Sequence, residues 1–165
     1  MTRQLPRDLL LVHVPVALGV GVLWWRLAPS LEYTVFGGAP YTLDEVQTGQ
    51  VVAADGVFAL LGLAAGALCA AVLLLRRHTG AALSVGLAAG GALGSAAAWM
   101  LGTWLGPGRL ADLVAAAADE QVVVPGPELS AYGVLLVWPI AAVAVALGAA
   151  WISGPPRRRV PPSPG

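Results

Sequence analysis

Apolar residues in this chain run in long blocks divided by short polar stretches, with neither strand-like alternation nor a narrow amphipathic stripe organising them. A helix needs about 20 mostly apolar residues to cross the roughly 30 Å hydrocarbon core of a bilayer. Four blocks meet that length, at about 9–27 (LLLVHVPVALGVGVLWWRL), 57–75 (VFALLGLAAGALCAAVLLL), 81–105 and 131–152. Each is free of charge through its middle, since Arg26 closes the first. Spanning segments must satisfy their backbone polar groups internally, and without period-two alternation these blocks predict helices and not barrel strands. The expectation is an all-α membrane protein, a single domain over 1–165 with four transmembrane helices. Asp8 is placed to cap the first helix and Asp55 the second.

Charge gives the blocks a direction. Seven of the nine arginines (Arg3, Arg7, Arg76, Arg77, Arg157, Arg158, Arg159) flank the blocks on one side. Arg26, Arg109 and eight of the nine acids fall on the other: Glu32, Asp44, Glu45, Asp55, Asp112, Asp119, Glu120 and Glu128. The positive-inside rule then puts both termini in the cytoplasm, with small extracytoplasmic segments at 28–56 and 106–130 and a cytoplasmic tail at 153–165. Trp24, Trp25, Trp104 and Tyr132 fall at outer boundaries and Trp151 at an inner one, as aromatic belts require. The first block exceeds the 7–15 apolar residues of a signal peptide, so it is read as a retained span.

The first outer segment, PSLEYTVFGGAPYTLDEVQTGQVVAADG, is too long for an idle loop. Its β-prone pieces, Glu32 to Phe36 and Gln50 to Val52, are punctuated by Gly37-Gly38 and Pro40, which predicts strand and turn. In the second, Arg109 to Asp119 is helix-permissive and Val122 to Val124 extended. The two segments are expected to form a small acidic cap that leans on the bilayer surface or on a partner.

Composition narrows the chemistry. The chain has 58% hydrophobic and 11% charged residues, against about 25% charged in an ordinary soluble domain. Nine basic residues balance nine acidic ones, so no net field attracts nucleic acid. One cysteine makes no internal disulfide, and with two histidines it assembles no Cys/His zinc cluster; no cofactor or metal is expected. The stretch Gly106-Pro107-Gly108-Arg109-Leu110-Ala111 has the spacing of a dinucleotide fingerprint, but a membrane span precedes it where a βαβ strand is needed, so it is a turn and no nucleotide is expected. No charged residue lies near a midplane, and paired carboxylates and nucleophile motifs are absent, so an enzyme is not expected.

What remains is packing and a few polar candidates. Gly86, Gly90, Gly94, Ala98 and Gly102 recur every four residues along the third helix, and Gly62 and Gly66 repeat the spacing on the second. Small-xxx-small rows let helix backbones approach closely where no hydrophobic effect drives them together. Such a row packs against the second helix or against another chain, with Ser84 and Ser95 as hydrogen-bonding neighbours and Leu87 off the row. Arg26 and Asp55, at similar depth, form a candidate outer polar site. His13, about one turn inside the inner end, is a candidate intramembrane ionisable group. Cys69 is expected to act as a small apolar residue, and Pro139 to kink the fourth helix.

Four blocks, GVLWWRLAP (21–29), ADGVFALLGLAAG (54–66), GGALGSAAAWMLGTWLGP (90–107) and PELSAYGVLLVWPIAA (127–142), together resemble a family of small four-helix membrane proteins from high-GC actinobacteria, classed as a domain of unknown function. The chain departs from that pattern in its short N-terminus. The resemblance implies a plasma-membrane location and carries over no catalytic residue. The functional expectation is an accessory or scaffolding subunit of a membrane complex, with the lipid bilayer and another membrane protein or a second copy as partners. The alternative is a small transporter or channel component whose pathway forms on oligomerisation.

Overall fold

The computed structural model describes residues 4–29, 31–41, 47–76 and 78–154. Arg3, Asp44, Glu45, Arg77, Arg157, Arg158, Arg159 and nearly all of the 153–165 tail lie outside the described residues. In chain order the elements are α1 (Leu5–Leu27), β1 (Tyr33–Phe36), β2 (Ala39–Tyr41), α2 (Gln47–Leu75), α3 (Ala81–Leu105), α4 (Leu110–Ala116), β3 (Val122–Val123), a 3-10 turn (Tyr132–Leu136) and α5 (Val137–Ser153). Four helical stretches are long and apolar enough to cross a membrane: Leu5–Leu27, Val52–Leu75, Ala81–Ala116 and Tyr132–Ser153.

Helix α1 begins four residues before the apolar block, with a proline in its first turn. Proline suits that place because its missing N–H would find no intrahelical partner there. Asp8 is therefore not the cap of α1 but lies within its first turn, and Gln4 holds the cap position. Pro29 ends the helix by biasing Ala28 to the extended conformation it adopts (φ −63°, ψ 133°). Helix α2 starts at Gln47, so the stretch around Gln50 to Val52 is helical and not a strand, and Asp55 lies about two turns inside. Beta propensity in that stretch yields to continuity with the long apolar helix downstream. The fourth span opens as a tight 3-10 turn and becomes α-helical at Val137, which places Pro139 in the first turn of α5. A proline there removes no hydrogen bond, so it starts the helix and does not kink its middle.

The four long helices form a bundle in which α1 packs on α2 and α3, and α5 packs on the other sides of the same two. Consecutive helices α2 and α3 face each other across the bundle with little contact, although only a short connection joins them. The glycine-bearing face of α3 therefore meets α1 and α5, not α2. Two rows share the work. On one, a methyl group at Gly86 would sit 2.7 Å from Leu9, at Gly90 3.0 Å from His13 Nε2, and at Gly102 2.5 Å from the Trp24 indole. Gly94, on the same row, lies against the Trp138 ring, and on the adjacent row Gly91 lies against the Pro139 backbone. Leu87 belongs to this buried face and is fully enclosed, because it stands one turn before Gly91 on the same side of the helix. Across the bundle, Gly66 meets the Trp138 carbonyl, and Gly62 makes ordinary contact with Trp138 at 3.6 Å.

Large rings fill the notches that the small residues leave. Trp24, Phe58 and Trp138 are completely buried. Trp24 and Phe58 pack edge to face, centroids 5.1 Å apart, and the Trp24 indole N–H donates to the Ala54 carbonyl at 3.1 Å. Dispersion contacts of this kind, each on the order of 0.1–0.2 kcal/mol, hold helices together where lipid is as apolar as the side chains.

The two segments at one end of the bundle join in a three-stranded sheet of order β2-β1-β3. The β1–β2 hairpin turns at Gly37-Gly38 (φ 58° and 75°), the positive-φ pair of a type I′ turn. β1 also pairs antiparallel with β3 from the second segment, Tyr33 opposite Val123. Val35 and Val123 are buried, while Phe36, Tyr41 and Val122 remain exposed.

Candidate functional site

The cap is fastened to the bundle at Asp55. Its two carboxylate oxygens accept the backbone N–H groups of Ser130 (3.0 Å) and Ala131 (2.9 Å), and the side chain is buried. These N–H groups precede the 3-10 turn that opens the fourth span, and Ala131 supplies no side-chain cap of its own. Asp55 thus caps a helix, but one that lies 75 residues further along the chain. A buried carboxylate held by two charge-assisted hydrogen bonds is a satisfied group, with its lone pairs committed.

Arg26 does not join it. The guanidinium is exposed and lies over the neighbouring Trp25 ring, 4.7 Å from its centroid, and no ion pair links it to Asp55. His13 lies 13 residues before Arg26 on α1, about 20 Å away along the helix axis. The three polar candidates therefore do not form one site.

His13 is buried inside the bundle. Its Nδ1 lies 3.0 Å from the Leu9 carbonyl, which assigns that nitrogen as the donor, and the ring stacks near Trp138 with centroids 6.2 Å apart and planes 12° from parallel. His13 Nε2 and Ser95 Oγ have no hydrogen-bond partner among the described residues. Ser95 therefore adds no interhelical bond to the α3 row. Cys69 is buried and free.

At the opposite end from the cap, sequence reading missed a charged cluster. Asp8 Oδ1 accepts from Arg76 at 3.0 Å, and Asp8 Oδ2 lies 2.8 Å from His78 Nε2. This ties the first turn of α1 to the α2–α3 connection. The signal was an acid among flanking basic residues, which charge counting by sides treats as a lone exception.

Two cavities open at the cap end. One is a groove running from Trp99 and Trp104 on α3, beneath α4, to Tyr132. The other lies between cap and bundle, beside Tyr33 and Ala54, and shares Leu110 and Glu128 with the first. Among the described residues, no group of three His, Cys, Asp or Glu side chains is placed to hold a metal ion. No family model, curated protein or solved structure matches the chain.

Proposed function

We propose that this protein is an accessory or scaffolding subunit of a membrane complex, without enzymatic activity of its own, set in the plasma membrane with both termini cytoplasmic. One observation carries the reading: the bundle interior is filled by rings seated on glycines. Trp24 lies on Gly102, His13 on Gly90 and the Trp138 ring on Gly94, while the Trp138 backbone carbonyl lies on Gly66. A core packed ring against backbone suits a rigid element that others bind, since close-packed interiors have low compressibility. The arginine distribution supports the orientation.

The second reading, a small transporter or channel component completed by oligomerisation, draws on His13 Nε2 and Ser95 Oγ, polar atoms unpartnered among the described residues inside the bundle. Mild solubilisation, affinity purification and mass spectrometry separate the two. A stoichiometric heterologous membrane partner supports the scaffold. A homo-oligomer without any partner overturns it in favour of the second reading.

A further inference from the structure

We propose that the groove beneath α4 is a binding site for one zwitterionic phospholipid, with an acyl chain along α3 and the headgroup at Arg109 and Glu128. The groove follows the last turns of α3. Trp99 stands six residues before the helix end, so the groove reaches about 9 Å along the span from its boundary. Its floor is aromatic, and the threonine on it is turned back on its own helix. Trp99 and Tyr132 meet edge to face with centroids 5.6 Å apart, and the Thr103 hydroxyl donates back to the α3 carbonyls of Trp99 and Met100. Met100 and Trp104 are 63% and 79% exposed on the same flank, which leaves the groove open sideways toward the surrounding lipid.

The rim decides the headgroup. Arg109 is exposed and has no ion pair among the described residues, which leaves its guanidinium to take a phosphate. Asp112 and Glu128 line the same groove. Two carboxylates beside one guanidinium repel a headgroup that is only anionic, whereas a phosphate joined to an ammonium meets both signs. Short α4 acts as the roof, with Ala111 giving a small surface on the groove side. The site does not depend on the scaffold reading, because neither catalysis nor transport enters it.

The test uses protein in nanodiscs of equal phosphatidylethanolamine and phosphatidylglycerol, followed by stepwise detergent washing and native mass spectrometry of retained lipid. The expected result is one retained lipid per chain, enriched at least threefold in phosphatidylethanolamine. Arg109→Gln and Glu128→Gln should each return the retained lipid to the bulk ratio, and Ala111→Trp should remove it. All three positions are exposed, and an unchanged unfolding midpoint verifies each fold. Retained lipid that mirrors the bulk mixture or prefers phosphatidylglycerol overturns the proposal. So does enrichment that survives both charge variants, or a photo-crosslinker at position 111 that captures only polypeptide.

Discussion

Asp55 caps Ala131 across the molecule: a carboxylate about two turns inside α2 accepts the N–H that opens the fourth span, at 2.9 Å. The same side chain takes the Ser130 N–H, so one residue fixes where the second outer segment ends and the last helix begins. Asp55→Ala leaves both N–H groups without their acceptor in a buried setting, at about 1–3 kcal/mol for each unsatisfied group. Asp55→Asn keeps one acceptor oxygen and should fall between alanine and the parent. Thermal unfolding in detergent reads the order. Equal midpoints for all three proteins would show that water replaces the carboxylate at no cost.

The glycines sort by what a methyl group would strike. At Gly91 it would meet the Pro139 backbone at 2.8 Å, and at Gly66 the Trp138 carbonyl, neither of which can rotate away. At Gly90 it meets the His13 imidazole at 3.0 Å, a side chain with some room to turn. At Gly148, in α5, nothing lies within 4 Å. Gly66→Ala and Gly91→Ala should each lose about 1–3 kcal/mol, the usual cost of overpacking. Gly90→Ala should lose less, and Gly148→Ala should gain up to about 1 kcal/mol through helix propensity. Melting curves of the four variants check the series. A Gly91→Ala protein as stable as Gly148→Ala would mean that α3 and α5 do not touch there. Leu93, 73% exposed, is the off-face control for the series.

The spans were legible because length and apolarity are properties of each segment alone, and α3 runs over the residues the pattern marks, 81–105. What pairs with what is not a local property. Asp55 reads as a cap from its own neighbourhood, yet its partners lie 75 and 76 residues away. The four-residue glycine row on α3 was visible, but a second row through Leu87, Gly91 and Ser95 was not, since a helix wedged between two neighbours buries two adjacent rows. Gly37-Gly38 announced its turn, whereas Gln50 to Val52 carried β-prone residues into a helix set by the apolar run downstream of them.

That turn is the place to loosen the cap without touching the bundle. Gly37 and Gly38 both have positive φ, and the Gly37 N–H donates to Asp119 Oδ1 at 2.7 Å, joining the hairpin to the second segment. A β-branched residue at Gly38 costs roughly 1–2 kcal/mol in left-handed backbone, while asparagine tolerates it. Gly38→Val should therefore speed amide exchange in β1 and β3 and leave α3 unchanged, and Gly38→Asn should stay close to the parent. Exchange that rises equally in α3 would show that cap and bundle unfold as one unit.

Orientation can be read with single thiols, because the only native cysteine is silent. Cys69 is fully buried in the bundle, so a membrane-impermeant maleimide should not reach it in intact cells. Ser163→Cys and Thr48→Cys then report the tail and the start of α2, ahead of its span, separately. Moving an arginine to the outer face opposes the bias that orients helices during insertion, and seven of the nine lie on the side assigned to the cytoplasm. Thr48→Cys is expected to label from outside, and Ser163→Cys only after the membrane is permeabilised. The reverse pattern would invert the molecule, placing the Asp8–His78 contact outside and the sheet with its lipid groove on the cytoplasmic side. Labelling of both from outside would leave an even number of crossings between positions 48 and 163 in place of three, with one of α2, α3 and α5 lying on the membrane instead of through it.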